Sequence, residues 1–182
     1  YVVRWDNYAT EYYKKDKIAR IIKKEYWYRK GVTFSRMSNI SNIRVLNQEG
    51  TFDATTVSFF IGENYEEQYN TIIGIYNSKV GDYFIRLLNP TLVFQLVDVR
   101  NTPFREGNKL IDELCEINIF NSLREWNSRE TSWDFLQNEL IRLNSQDTEE
   151  SIELYKAYWS RKFFELHQNE EELNAQFIEI YG

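Results

Sequence analysis

The chain has 182 residues, enough for one domain, or one domain with an appendage, around a sizeable core. Its 22 Lys and Arg against 28 Asp and Glu leave a net charge of −6, which taken whole argues against indiscriminate binding to nucleic acid. An apolar share of 42% with 13 Tyr, 12 Phe and 5 Trp excludes intrinsic disorder, and Cys115 and His167, one of each type, exclude an internal disulfide and the usual zinc ligand set. No apolar run reaches the length of a membrane span and no signal peptide is present, so the expectation is a soluble, cytoplasmic chain from a reducing compartment.

In chain order, three short β-type runs come first: Gly31-Val-Thr-Phe34, Ile43-Arg-Val45 and Thr55-Thr-Val-Ser-Phe-Phe-Ile61. Ser/Asn-rich turns such as 38–42 and 47–50 separate them. Tyr69, Ile72, Ile73, Tyr76, Val80, Tyr83, Phe84 and Leu87 then follow the three-and-four spacing of one buried helix face. Asn89-Pro90 stops that helix, because proline disfavours the helical conformation at the residue before it. Residues 91–97 read as a further strand, Asn101-Thr-Pro103 as a turn, and 107–125 as a second helix with Leu110, Ile111, Leu114 and Ile117 on its apolar side. From Asp147 a long helix is expected, with Ile152, Trp159, Leu166, Leu173 and Ile180 at seven-residue intervals and Phe163 and Phe177 widening the stripe. Lys162, Asn169 and Gln176 occupy the positions that a two-stranded coiled coil needs apolar, so packing along the rest of the protein is expected instead. The Ser/Asn-rich stretch 127–147 is the candidate hinge. The fold class is α+β with a helical extension.

Charge is distributed unevenly along these elements. Residues 1–50 carry +6, residues 51–105 carry −2 and residues 106–182 carry −10. The basic front holds Lys14, Lys15, Lys17, Arg20, Lys23, Lys24, Arg29 and Lys30, interleaved with Tyr12, Tyr13, Tyr26, Trp27 and Tyr28. Cations for phosphates beside flat side chains for bases form a nucleic-acid pattern; the same composition also suits a solvated face beside a core strand.

Catalytic machinery is missing by elimination. No two glycines are separated by a single residue, so neither a dinucleotide turn nor a typical S-adenosylmethionine loop is present, and there is no phosphate-binding loop. Pro90 and Pro103 are not adjacent, so an Asn-Pro-Pro-aromatic motif is absent, and no lysine has an acidic residue two positions before it, as nuclease motifs require. Cys115, beside Leu114 in a helix, reads as a small buried residue, and His167 as a surface one. Carboxylate groups such as Glu66/Glu67, Asp112/Glu113/Glu116 and Glu170/Glu171/Glu172 read as solvated helix faces. No catalytic residue and no metal ligand is assigned. The first residue is Tyr1 and the last segment, Phe177-Ile-Glu-Ile-Tyr-Gly182, is apolar, from which a piece of a longer protein is expected.

Three stretches taken in order resemble the specificity region of PglX-type adenine-specific DNA methyltransferases of BREX phage defence. They are Glu25-Tyr-Trp-Tyr-Arg-Lys-Gly-Val-Thr-Phe-Ser35; Gly74-Ile-Tyr-Asn-Ser-Lys79 with Leu87-Leu-Asn-Pro-Thr-Leu92, Phe94-Gln95, Asp98 and Asn101-Thr-Pro103; and Glu130-Thr-Ser-Trp-Asp-Phe135 with Asn169–Asn174 and Phe177–Gly182. The second is also similar to target-recognition domains of type I specificity subunits and type IIG restriction enzymes. The chain departs from the family at Leu96-Val97, where a glycine is frequent, and at Ala54-Thr-Thr56, where a glycine-rich turn is expected.

The resemblance implies a DNA target-recognition domain over 1–126, a connecting segment over 127–147 and a helical extension over 148–182. It implies a module that reads duplex DNA for a larger methyltransferase, whose S-adenosylmethionine loop and Asn-Pro-Pro-aromatic motif would lie upstream, with no cofactor in this piece. The expected partners are double-stranded DNA and the parent's catalytic domain, and no membrane. Phosphate contacts are expected at Lys14, Lys15, Arg29 and Lys30, and base contacts at Thr33, Ser35, Arg36, Ser38 and Asn39, with Asn42 and Arg44 behind them. Each of the polar residues also fits ordinary turn chemistry. Gln95 fits a supporting role in the fold as well as a DNA contact. Asn89-Pro90-Thr91 is a helix stop and not the catalytic motif. Two other readings stay open: the specificity domain of a type I or type IIG restriction enzyme, and a protein-interaction module without DNA.

Overall fold

The computed structural model describes residues 3–18, 21–38, 42–47, 50–52, 56–143, 145 and 147–182. It has a small mixed region of sheet and helices towards the front, followed by a long helical stretch. By packing, the chain divides into two compact units, one made of Tyr1–Glu67 and Gly81–Phe104, the other of Gln68–Val80 and Arg105–Gly182.

The first unit opens with α1 (Asn7–Lys15), a helix the hydrophobic pattern does not announce. Its start is chemical: the Asp6 side chain accepts from the Ala9 N–H at 2.8 Å, satisfying one of the helix's orphan donors. A 3₁₀ turn over Lys24–Tyr26 follows. Then come β1 (Gly31–Ser35), β2 (Arg44–Leu46) and β3 (Thr56–Phe59), an antiparallel sheet ordered β2-β1-β3. Alternation along β1 separates the two faces. Val32 and Phe34 are buried, and the Phe34 ring meets Phe94 edge-on at 5.3 Å. On the opposite face Thr33 stands in register with Arg44 on one side and Ser58 on the other, and Ser35 with Thr56.

The helix expected over 69–87 is two helices, α2 (Tyr69–Asn77) and α3 (Lys79–Leu88). The break falls at Ser78, whose backbone is extended and whose N–H and hydroxyl both donate to the Ile75 carbonyl, at 3.1 and 2.7 Å. A side chain that competes for helix carbonyls ends the first helix although the apolar spacing runs on. The strand expected over 91–97 is also corrected. Val93 makes one isolated antiparallel bridge with Met37, and α4 (Leu96–Asn101) begins three residues later. Asp98 decides this: its carboxylate accepts from the Gln95 N–H at 2.9 Å and starts a helix where β-formers were read as a strand.

In the second unit α2 is joined by α5 (Lys109–Asn127), the short α6 (Glu139–Arg142) and α7 (Thr148–Tyr181). Asn108 and Asp147 cap α5 and α7 through the N–H groups of Ile111 and Glu149. The core gathers Ile73 and Tyr76 of α2, Ile111 and Cys115 of α5, and Leu173 and Phe177 of α7. Gly74 makes this junction possible, since a Cβ there would lie 2.6 Å from Cys115 Sγ and 3.3 Å from the Phe177 ring. Burial pushes the Cys115 thiol up to about 12, so it remains protonated and inert at neutral pH.

Two of the polar positions along the seven-residue stripe face α5. Asn169 donates to Asn118 at 2.9 Å, and Gln176 accepts from Asn108 at 3.0 Å. As the contact moves back along α7 it moves forward along α5, so the two helices run antiparallel. The stripe is narrower than its spacing implies: Leu173 and Phe177 are buried, whereas Phe163 is 62% exposed. None of the described helices is long and apolar enough to cross a membrane.

Candidate nucleic-acid interface

The sequence between Tyr26 and Gln48 carries Arg29, Lys30, Arg36 and Arg44 and no carboxylate. Folding turns this stretch into the β1–β2 hairpin, so a local charge of +4 is displayed on one supersecondary unit. All four cations are exposed. Arg29 is held with its guanidinium 5.0 Å from the centre of the Phe60 ring, and Tyr26 stacks on the same ring at 5.3 Å. Gly31 leaves the room for that ring, because a Cβ there would come within 2.9 Å of Phe60. Among the described residues neither Arg36 nor Arg44 has an ion-pair partner.

Backbone geometry beside this charge is unusual. Tyr28, half-exposed between Trp27 and Arg29, has φ 54°, the left-handed region that bulky residues avoid, and its N–H donates to the Gly50 carbonyl at 3.3 Å.

The expected base-contact residues separate by what their polar groups already do. The Thr33 hydroxyl donates to the Val57 carbonyl at 3.2 Å and accepts from Ser58 at 3.0 Å, and is committed to the sheet. Asn42 is committed too, its side-chain oxygen accepting the Ser35 N–H at 3.0 Å. Ser35 and Arg36 are exposed, Ser38 is half-buried, and Asn39 lies outside the described residues. Lys14 and Lys15 end α1; Lys14 donates to Glu11 at 2.5 Å, which holds the Glu11 carboxyl below its ordinary range. The approach to α1 meets the segment before the hairpin through Trp5 against Trp27, ring centres 5.0 Å apart.

What sequence reading missed is the loop that braces the hairpin. Ser38 N–H donates to the Leu92 carbonyl at 3.2 Å and Phe94 N–H to the Arg36 carbonyl at 2.7 Å, so the two bonds bracket the Met37–Val93 pair. Asn89 fixes this loop. Its side-chain amide donates to the Val93 carbonyl at 3.0 Å and to Asp98 at 2.7 Å, and its side-chain oxygen accepts from the Thr91 N–H and hydroxyl at 3.0 and 2.6 Å. Asn89 also ends α3, its N–H donating to the Ile85 carbonyl at 2.8 Å, as the helix-stop reading requires. Gln95 precedes α4 and lends its backbone N–H to the same Asp98 carboxylate. A small recess of about 60 Å³ beside this loop is bordered by Ser38, Arg86, Asn89 and Thr91.

The second unit carries a larger groove, about 350 Å³, walled by Phe120, Leu123, Leu136, Arg124 and Arg142. Trp133 and Leu136 nearby are each 93% exposed. Among the described residues no three His, Cys, Asp or Glu side chains form a metal-binding group. The space beside Gly31, Gly74 and Gly107 is filled by the chain's own Phe60, Cys115 and Thr71.

A small α+β unit with a cationic hairpin, joined in sequence to a helical unit, is thus the setting for the comparisons with known proteins. No protein-family model matches the chain. The adenine-specific methyltransferase PglX of Lacticaseibacillus casei (strain Zhang) is 30% identical over an alignment of 195 positions, which takes in 100% of this chain and 16% of that protein. The adenine-specific methyltransferase BrxX of Escherichia coli O9:H4 (strain HS) is 29% identical over 183 positions, 100% of this chain and 15% of its own length. The chain is a distant homologue of part of these methyltransferases, and spans about a sixth of the length of either.

Proposed function

We propose that this chain is the sequence-specific double-stranded-DNA recognition module of a larger adenine-specific DNA methyltransferase of a phage-defence or restriction-modification system. The observation that carries the reading is the carboxylate-free hairpin, whose four cations stand beside a polar sheet face and a braced loop. Phosphate contacts from Arg29, Lys30 and Arg44 would set the register, and the exposed groups around Ser35, Arg36 and Ser38 would meet base edges in the major groove. Recognition is assigned within residues 1–126, with 127–147 connecting to the helical extension 148–182. Methyl transfer, with S-adenosylmethionine as donor, belongs to the parent's catalytic part. That part is the proposed partner of residues 127–182, whose exposed Trp133 and Leu136 suit contact with protein, while their net charge of −7 would repel phosphate.

Salt dependence tests the reading. Three phosphate contacts predict that the logarithm of duplex affinity falls with the logarithm of salt at a slope of about −3. Arg44→Ala should weaken binding to every duplex alike and make the slope shallower by about 0.9. A chain that binds no duplex at about 50 mM salt, or whose binding ignores salt, is not this module.

A further inference from the structure

We propose that Met37 is a specificity-determining residue, contacting the 5-methyl group of a thymine in the major groove. This deepens, and rests on, the duplex-recognition reading above. Met37 is the chain's single methionine and lies 78% exposed between Arg36 and Ser38, on the hairpin that bears four cations and no carboxylate. Charge complementarity selects nucleic acid as the occupant of this surface, and Met37 offers that occupant an exposed apolar side chain beside the cations. In the major groove thymine's methyl is the apolar target, and it marks one base among the four.

The residue is held in place to read. The Ser38-to-Leu92 and Phe94-to-Arg36 hydrogen bonds lie on either side of the Met37–Val93 pair, making it the close, non-hydrogen-bonded kind in which side chains touch across the ladder. The outward main-chain groups of Val93 are themselves satisfied, its N–H by Thr91 at 3.3 Å and its carbonyl by Asn89 at 3.0 Å. Asn89 is anchored on Asp98, which is only 8% exposed. A chain of bonds thus runs from a buried carboxylate to the backbone opposite Met37. Asn89 and Asp98 act as positioning residues, since neither reaches the proposed base.

The test uses the whole 182-residue chain. Duplexes are selected from a random library at low salt, and in the selected sequence each thymine is replaced singly by uracil, which lacks only the methyl. One replacement should weaken binding about fourfold, the worth of one buried methyl group. Met37→Ala should abolish that penalty, whereas Met37→Leu should keep it. With the methionine methyl labelled, the chain gives one methyl resonance, which should move on binding the selected duplex and move less with the uracil version. A resonance that stays put, or a uracil penalty that survives Met37→Ala, overturns the assignment of Met37 while duplex binding stands. Absence of any enriched duplex overturns the parent reading together with it.

Discussion

The two units spend their polar chemistry in opposite ways. The first carries 13 basic and 11 acidic residues, a net +2, and the second 9 and 17, a net −8. In the helical unit side-chain amides such as Asn118–Asn169 and Asn108–Gln176 join one helix to another and add direction to an apolar core. In the first unit the equivalent bonds, centred on Asn89, shape a loop and hold the backbone beside the exposed cationic hairpin. The first unit uses polar groups to present a surface; the second uses them to register its own helices. Removing one support from each should therefore give different failures.

The largest effect is expected from Phe177→Ala. Phe177 is 1% exposed and meets the α2–α5 junction at Gly74, so truncation leaves a cavity that helices cannot easily collapse into. A loss of about 3–5 kcal/mol is expected. Hydrogen exchange should accelerate in α2, α5 and α7 while the β1–β3 amides keep their protection. Loss of protection in both units together would show that the comparison draws the line in the wrong place.

Asn89→Ala should cost less, about 1–2 kcal/mol, because it leaves one acceptor site of the buried Asp98 unpaired without touching a large apolar residue. Its signature lies elsewhere. Exchange at Ser38 and Phe94, the two amides that bracket Met37, should rise far more than exchange in β1. An unchanged pair of amides would mean that the loop needs no brace.

These two positions also mark how much was readable beforehand. Short β-type runs revealed β1, whose faces separate cleanly at Val32, Thr33 and Phe34, and apolar spacing revealed α5 and α7. Periodicity failed at Ser78 because the apolar spacing continues through a break made by one hydroxyl. The strand reading failed over 91–97 because the Gln95–Asp98 hydrogen bond outweighs four β-formers, Thr91, Val93, Phe94 and Val97. Phe163 was misread because spacing defines a face without saying how far a neighbour covers it. Among candidate base contacts, hydroxyls and amides stood out by type, yet Thr33 and Asn42 spend theirs inside the fold. Met37 carries no such flag, and only its partner across the ladder reveals that it is held exposed.

The smallest predicted effect concerns strain. Tyr28 keeps φ 54° at about 1–2 kcal/mol relative to an ordinary conformation, next to two of the four hairpin cations. Glycine adopts that geometry freely but loses about 0.5–1 kcal/mol more chain entropy on folding. Tyr28→Gly should therefore stabilise the chain by about 0.5 kcal/mol, a rise in melting temperature of about 1–2 °C. Tyr28→Val, whose branched Cβ suits the left-handed region still less, should lower it. If Tyr28 is kept because its exposed ring serves the surface, the more stable glycine variant will also bind duplex more weakly. Stability and binding moving in opposite directions is the result a presenting unit predicts; both rising together would reduce Tyr28 to a strained turn residue, and leave the cations and Met37 to carry the interface.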